Sequence, residues 1–154
     1  MIELSTIKLI FSAIDQALIA SLKAEAVFDE SPGPGKLVAI SDPSEWIRTA
    51  TDQVMVRGNL WIIYGASSYI DARNQGLVLS TQMSRVERDI RDGLKSYLPQ
   101  SIQGTGLLFN QFQQGDFGGW NLELSANLNN AKQEAAWIVQ IRPPFQLSLN
   151  DRLF

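Results

Sequence analysis

The sequence predicts an α+β fold: a mixed, mostly antiparallel sheet flanked by two amphipathic helices, with a C-terminal β-hairpin, in a single domain spanning residues 1–154. Three observations predict it. Two segments repeat apolar residues every three or four positions, a run between them is continuously β-branched and aromatic, and the last third alternates strand-like runs with Gly- and Asn-rich turns. A chain of 154 residues, 45% hydrophobic and 19% charged, has the length and balance to bury one core.

From Ser5 to Ala26 the residues Ile7, Ile10, Phe11, Ile14, Leu18 and Leu22 share one helical stripe. Ser31-Pro32-Gly33-Pro34-Gly35 continues neither helix nor ladder and reads as a loop. Leu37 to Ile40 is a short strand that the turn cluster Ser41-Asp42-Pro43-Ser44 should stop. Gln53 to Ala66 holds Val54-Met55-Val56 and Leu60-Trp61-Ile62-Ile63-Tyr64, interrupted at Gly58-Asn59, where a bulge in one long strand is preferred to a hairpin turn. Both faces of Leu60 to Tyr64 are apolar, so that strand should be central and covered on both sides.

Gly65 to Gly76 is polar and reads as a loop leading into a second helix, whose stripe is Leu79, Met83, Val86, Ile90, Leu94 and Tyr97, ended by Pro99. Its opposite face should be solvated, with Arg85–Asp89, Glu87–Arg91 and Arg88–Asp92 pairs worth about 0.2–0.5 kcal/mol each. Strands are then expected over Gly106 to Gln113, Trp120 to Leu128 and Glu134 to Arg142, the last presenting Trp137, Val139 and Ile141 on one face. Pro143-Pro144 should end the sheet, and the tail 145–154 is expected to be extended, and mobile unless it docks.

Composition removes whole classes of chemistry. Thirteen basic against sixteen acidic residues give a net charge of −3, with no basic field for nucleic acid. Zero His and zero Cys remove the commonest general base, thiolate chemistry and most zinc sites. No stretch is apolar enough for a membrane helix, and Met1-Ile2-Glu3 does not open a signal peptide, which predicts synthesis in the cytoplasm. Paired carboxylates could still hydrolyse glycosides, but Asp29, Glu30, Asp89, Asp92, Glu123 and Glu134 all have ordinary solvated readings. Gly115-Asp116-Phe117-Gly118-Gly119 lacks the Lys-Ser/Thr ending of a phosphate loop, and Gly104-Thr105-Gly106 opens no helix. The aromatics Phe109, Phe112, Phe117 and Trp120 have no basic residue near them, so core or protein interface is favoured over base stacking. Trp46 beside Arg48 reads as packing at a turn.

Twelve Gln and eight Asn suit wet contacts between protein subunits, because amides bond without the desolvation cost of charge. The element order, carried by Ile7 to Leu22, by Leu60 to Tyr64 leading through Asp71-Ala72-Arg73-Asn74-Gln75-Gly76 into Val86 to Leu94, and by Trp137 to Ile141, resembles the tail terminator proteins of tailed bacteriophages, the Mu-like contractile-tail type. That resemblance implies a non-catalytic virion subunit without cofactor or metal. It also implies a homo-oligomer, a hexameric ring that caps the tail tube, stops its polymerisation and meets sheath proteins and the head-neck connector or stopper, with no specific nucleic acid and no membrane. Another neck or baseplate component, and a carboxylate-dependent hydrolase, are the alternatives. The expected interface lies in the loops Ser31 to Lys36 and Ser67 to Gln75 and in Phe109 to Trp120, with Pro32, Gly33, Lys36, Tyr69, Asp71, Arg73, Phe109, Phe112, Phe117 and Trp120 as its candidates.

Overall fold

The computed structural model describes residues 4–24, 32–50, 53–97, 108–109, 122–127 and 135–150. In chain order the elements are α1 (Leu4–Leu22), β1 (Leu37–Ala50), β2 (Gln53–Ala66), α2 (Tyr69–Tyr97), β3 (Leu108–Phe109), β4 (Glu123–Ala126), β5 (Trp137–Ile141) and β6 (Pro144–Asn150). The described strands form one sheet in the order β3-β6-β2-β5-β4, with β1 on the other side of β2. Every pairing between them is antiparallel. The α+β class and the hairpin of β4 with β5 are therefore as expected.

β2 is the spine. Along one edge it pairs with β1 from Tyr64 to Gln53; along the other it pairs first with β5 and then with β6. Ile62 lies opposite Ile141 and Asn59 opposite Pro144, so β5 and β6 keep one register and act as a single strand interrupted at Arg142-Pro143. The Leu60 amide donates to the Pro143 carbonyl at 3.0 Å and bridges the gap. Pro143-Pro144 thus does not end the sheet: a proline lacks a donor but keeps its carbonyl, and that carbonyl is what β2 uses here. The tail expectation resolves the same way, since 145–150 dock as β6; residues 151–154 lie outside the described residues.

β1 likewise runs past its expected stop at Ser41 to Ser44. It is an edge strand, where proline is tolerated, and its register shifts between Pro43 and Glu45 and again between Arg48 and Ala50 absorb extra residues. The irregularity expected at Gly58-Asn59 sits in β1 opposite Gly58, while β2 itself is one strand. Gly58 serves close approach: a Cβ there would stand 2.6 Å from the Asp42 carbonyl and 2.9 Å from the Phe145 ring.

Alternation along β2 divides the core. Leu60, Ile62 and Ala66 point to the helices and join Ala39, Val139, Ile141 and Phe145, while Ile63 points away and packs with Val38, Ala135 and Ile138. Both sides of the run are buried, as its two apolar faces require. Both helices lie on the first face, burying Ile10, Ile14 and Leu18 from α1 and Leu79, Met83, Val86 and Ile90 from α2. Helix α1 stops at Leu22, short of Ala26, because Lys23 turns into the left-handed region (φ 54°) and the Ala24 amide closes back on the Ile19 carbonyl at 3.0 Å. None of the described helices is long and apolar enough to cross a membrane.

Phe145 is among the largest fully buried side chains and meets Phe11 at 6.3 Å between ring centroids. Phe145→Ala should cost about 3–5 kcal/mol, read as a lowered urea midpoint at unchanged slope; a cost under 1 kcal/mol would show that β6 is not part of the core.

Candidate functional site

The end of β2 gathers the candidates from two loops in one place. The Gly35 amide donates to the Gly65 carbonyl at 2.8 Å, and the Gly65 amide donates to the Lys36 carbonyl at 3.0 Å, so the Pro/Gly loop is clamped on the strand. A Cβ at Gly65 would lie 2.4 Å from the Gly33 carbonyl oxygen and 2.6 Å from that of Pro32, which only glycine permits. Pro32 is accordingly buried and Gly33 half-buried, so neither is the exposed contact expected of it; Lys36 is exposed.

Directly after β2 the chain enters α2 at Tyr69, and the expected loop Ser67 to Gln75 is largely the start of that helix. A reciprocal cap explains why. Ser68 Oγ accepts from the Asp71 amide at 3.1 Å, and Asp71 Oδ2 accepts from the Ser67 amide at 3.2 Å. Asp71 is thus half-buried and holds the helix start, whereas Tyr69 and Arg73 are exposed. Tyr69 meets Trp137 edge-on at 5.2 Å, which fixes its ring beside β5.

Around these residues lies an apolar surface that the sequence reading did not single out. Ile70 is 70% exposed, Leu77 56% and Tyr69 50%, with Val78 and Leu122 also exposed. Ile70, Arg73 and Leu77 fall at helical spacing on one face of α2. The available signal was the pair Leu77-Val78, which stands out of phase with the stripe Leu79, Met83, Val86 and Ile90. On the neighbouring face Gly76 lets Leu122 approach, its Cβ position lying 3.2 Å from that side chain.

Of the third expected segment only Phe109 is among the described residues, and it is not brought here. Phe109 is in β3 opposite Leu147, which pairs with Val56, roughly 30 Å along β2 from Gly65. Phe112, Phe117 and Trp120 lie outside the described residues, as do Asp29, Glu30 and Glu134.

Asp89, Glu87 and Glu123 have partners of other kinds. Asp89 accepts from Ser21 Oγ at 2.6 Å and faces Arg85 at 3.8 Å, while Arg85 donates to the Ser21 carbonyl at 3.0 Å. This part of the charged face is a seam with α1 as well as a solvated surface. Glu87 pairs with Arg91 at 2.9 Å and Glu123 with Arg142 at 3.6 Å. Arg142 also stacks on Trp61 at 5.0 Å, whose indole donates to Asp42 at 3.2 Å, a cross-strand row on the sheet's reverse face. Among the described residues no group of three His, Cys, Asp or Glu could hold a metal. Burial raises the Tyr64 phenol above its ordinary range, and the Asp71 carboxylate adds to this, so Tyr64 stays protonated near neutrality. No family model matches the chain, and no curated protein does.

Burial raises the Asp15 carboxyl above 3.8, opposed by hydrogen bonding to Ser41, whose amide donates at 2.7 Å. A raised folded-state value means that the folded form holds the proton more tightly. Asp15 therefore costs stability when ionised, and that cost is relieved as pH falls through its raised value toward 3.8. In urea titrations Asp15→Asn, which keeps the acceptor, should be at least as stable as the parent at pH 7, with its relative advantage shrinking on acidification; an advantage that grows on acidification would contradict this. Gly65→Ala should destabilise by roughly 1–3 kcal/mol through its carbonyl clashes. Gly76→Ala should instead gain up to about 1 kcal/mol of helix propensity, because the exposed Leu122 side chain can move.

Proposed function

We propose that this chain is a structural subunit of a bacteriophage tail, which closes into a ring on the end of the tail tube, ends its polymerisation and joins it to the neck. The observation that carries the reading is the apolar face of α2 around Ile70 and Leu77, beside Tyr69 and Leu122. Several large apolar side chains exposed on one capped helix fit a protein interface. The element order that resembles tail terminators agrees with it. So does the long β1–β2 hairpin. From Ser41, bonded to Asp15, β1 rises roughly 30 Å to Ala50, whereas α1 from Asp15 back to Leu4 covers about 16 Å. The hairpin outruns α1, and with β6 and β3 beside it this end of the sheet extends toward a neighbour.

The mechanism is steric. A cyclic ring uses heterologous contacts, in which one patch meets a different patch on the next copy and closes after a fixed rotation. One face of the ring matches the last layer of the tube, and the other presents no tube-like surface to a further subunit.

Light scattering should give a six-subunit mass, and electron micrographs should show rings bound to the ends of purified tail tubes. Ile70→Asp and Leu77→Asp should each weaken assembly about thirty-fold or more, the effect of roughly 2 kcal/mol at a central contact. Because both side chains are exposed, circular dichroism should not change. A monomer at every concentration that also ignores tail tubes would overturn the reading, and rings that ignore tubes would place the chain elsewhere in a neck or baseplate.

A further inference from the structure

The outer edge of β4 is open. Glu123 and Ala126 are exposed, and among the described residues no strand pairs with β4 on the side away from β5. The Asn127 amide donates to the Ala136 carbonyl at 2.9 Å, so by antiparallel alternation Ser125 and Glu123 also bond to β5, while the amides and carbonyls of Leu124 and Ala126 turn outward. The other side of the sheet is guarded. On β1, Val38, Ala39 and Ser41 are buried, the Ser41 amide donates to Asp15, and Pro43 and two register shifts interrupt the rest. β4 is short, but it carries no proline, lysine or register shift.

Its two faces define what can lie beside it. On the helix side Leu124 packs on the core, Ala126 stands opposite the core-packed Trp137, and Leu122, 39% exposed, lies against Gly76. On the reverse side Glu123 pairs with Arg142 at 3.6 Å, yet its side chain remains 58% exposed. An added strand therefore meets apolar neighbours at alternate positions and a carboxylate between two of them. Ile70 and Leu77 lie about a quarter turn or more round α2 from Gly76, so this edge is distinct from the apolar face.

We propose that β4 takes up an extended segment of a different protein as an added strand, with apolar residues at alternate positions and a lysine or arginine opposite Glu123. The choice of a different protein rests on the ring reading. A second copy could offer its own β4, but that is a two-fold contact, whereas such a ring closes through heterologous ones. Its β1 edge is covered, and its β3 has two described residues, fewer than the added strand needs.

Titration calorimetry of the full chain with acetyl-Thr-Val-Thr-Val-Lys-Val-Thr-amide tests this. Laid antiparallel, its central valine stands opposite Leu124 and its lysine opposite Glu123. N-methylation of that valine removes the donor to the Leu124 carbonyl and should weaken binding at least about ten-fold, which apolar contact alone would not show. Glutamate in place of the lysine should weaken it about three-fold or more, and Glu123→Gln should abolish that difference. Ala126→Pro removes an outward amide at an edge position where proline is tolerated; it should weaken the peptide about five-fold with Tm and assembled mass unchanged. No binding, equal affinity for the N-methylated peptide, or full affinity in Ala126→Pro would overturn the proposal. So would a changed assembled mass in Ala126→Pro, which would give the edge to a second copy. Rings that ignore the peptide would sink this proposal alone, whereas a monomer that binds it with these preferences would bear it out and sink only the ring reading.

Discussion

The fold depends on β2 being paired along both edges. One edge holds β1 and the other a strand that changes name, but not register, at Arg142-Pro143. With its backbone satisfied on both sides, β2 can bury apolar side chains above and below. Leu60 and Ile62 anchor the helical layer, and Ile63 anchors the reverse cluster. Each such side chain, fully buried, contributes roughly 1.5–3 kcal/mol, so the spine supplies a large part of the driving force from a few residues.

What happens at the end of β2 follows from that placement. Gly65 lets the Pro/Gly loop close onto the strand, and the next residues cap α2 at once through Ser68 and Asp71. The helix therefore leaves the sheet in a fixed direction, with its stripe from Leu79 onward in the core. Its first turns, ahead of that stripe, carry Ile70 and Leu77 outward. The same geometry that seats the helix thus creates the surface on which the functional reading rests.

Much of this was legible in the chain. The helical stripes of Ile10 to Leu22 and Leu79 to Leu94, the doubly apolar Leu60 to Tyr64 run and the alternation of Trp137, Val139 and Ile141 all carry their period openly, and each lies where its period predicts. Local turn chemistry misled wherever long-range pairing overrode it. Pro43 reads as a stop but sits on an edge strand beside a register shift, and Pro143-Pro144 reads as an end but donates no bond that β2 needs. Polar residues before Gly76 hid the helix start, because Ser68 and Asp71 look equally like a loop and a cap. The site was half visible. Two of the loops read as interface candidates meet at the end of β2, where Pro32 and Asp71 build the local structure and Ile70 and Leu77 stand exposed beside them. An isolated apolar residue in a polar stretch gives no signal of exposure until the phase of the helix is known.

Hydroxyl-radical footprinting of dilute and concentrated protein bears most directly on the central claim, that the head of α2 is a surface made for another protein. Oxidation of Tyr69, Ile70 and Leu77 should fall sharply as the chain assembles, while Leu9, exposed on α1 away from this face, should be labelled equally in both samples. Equal labelling of all four residues in an assembled sample would contradict the account.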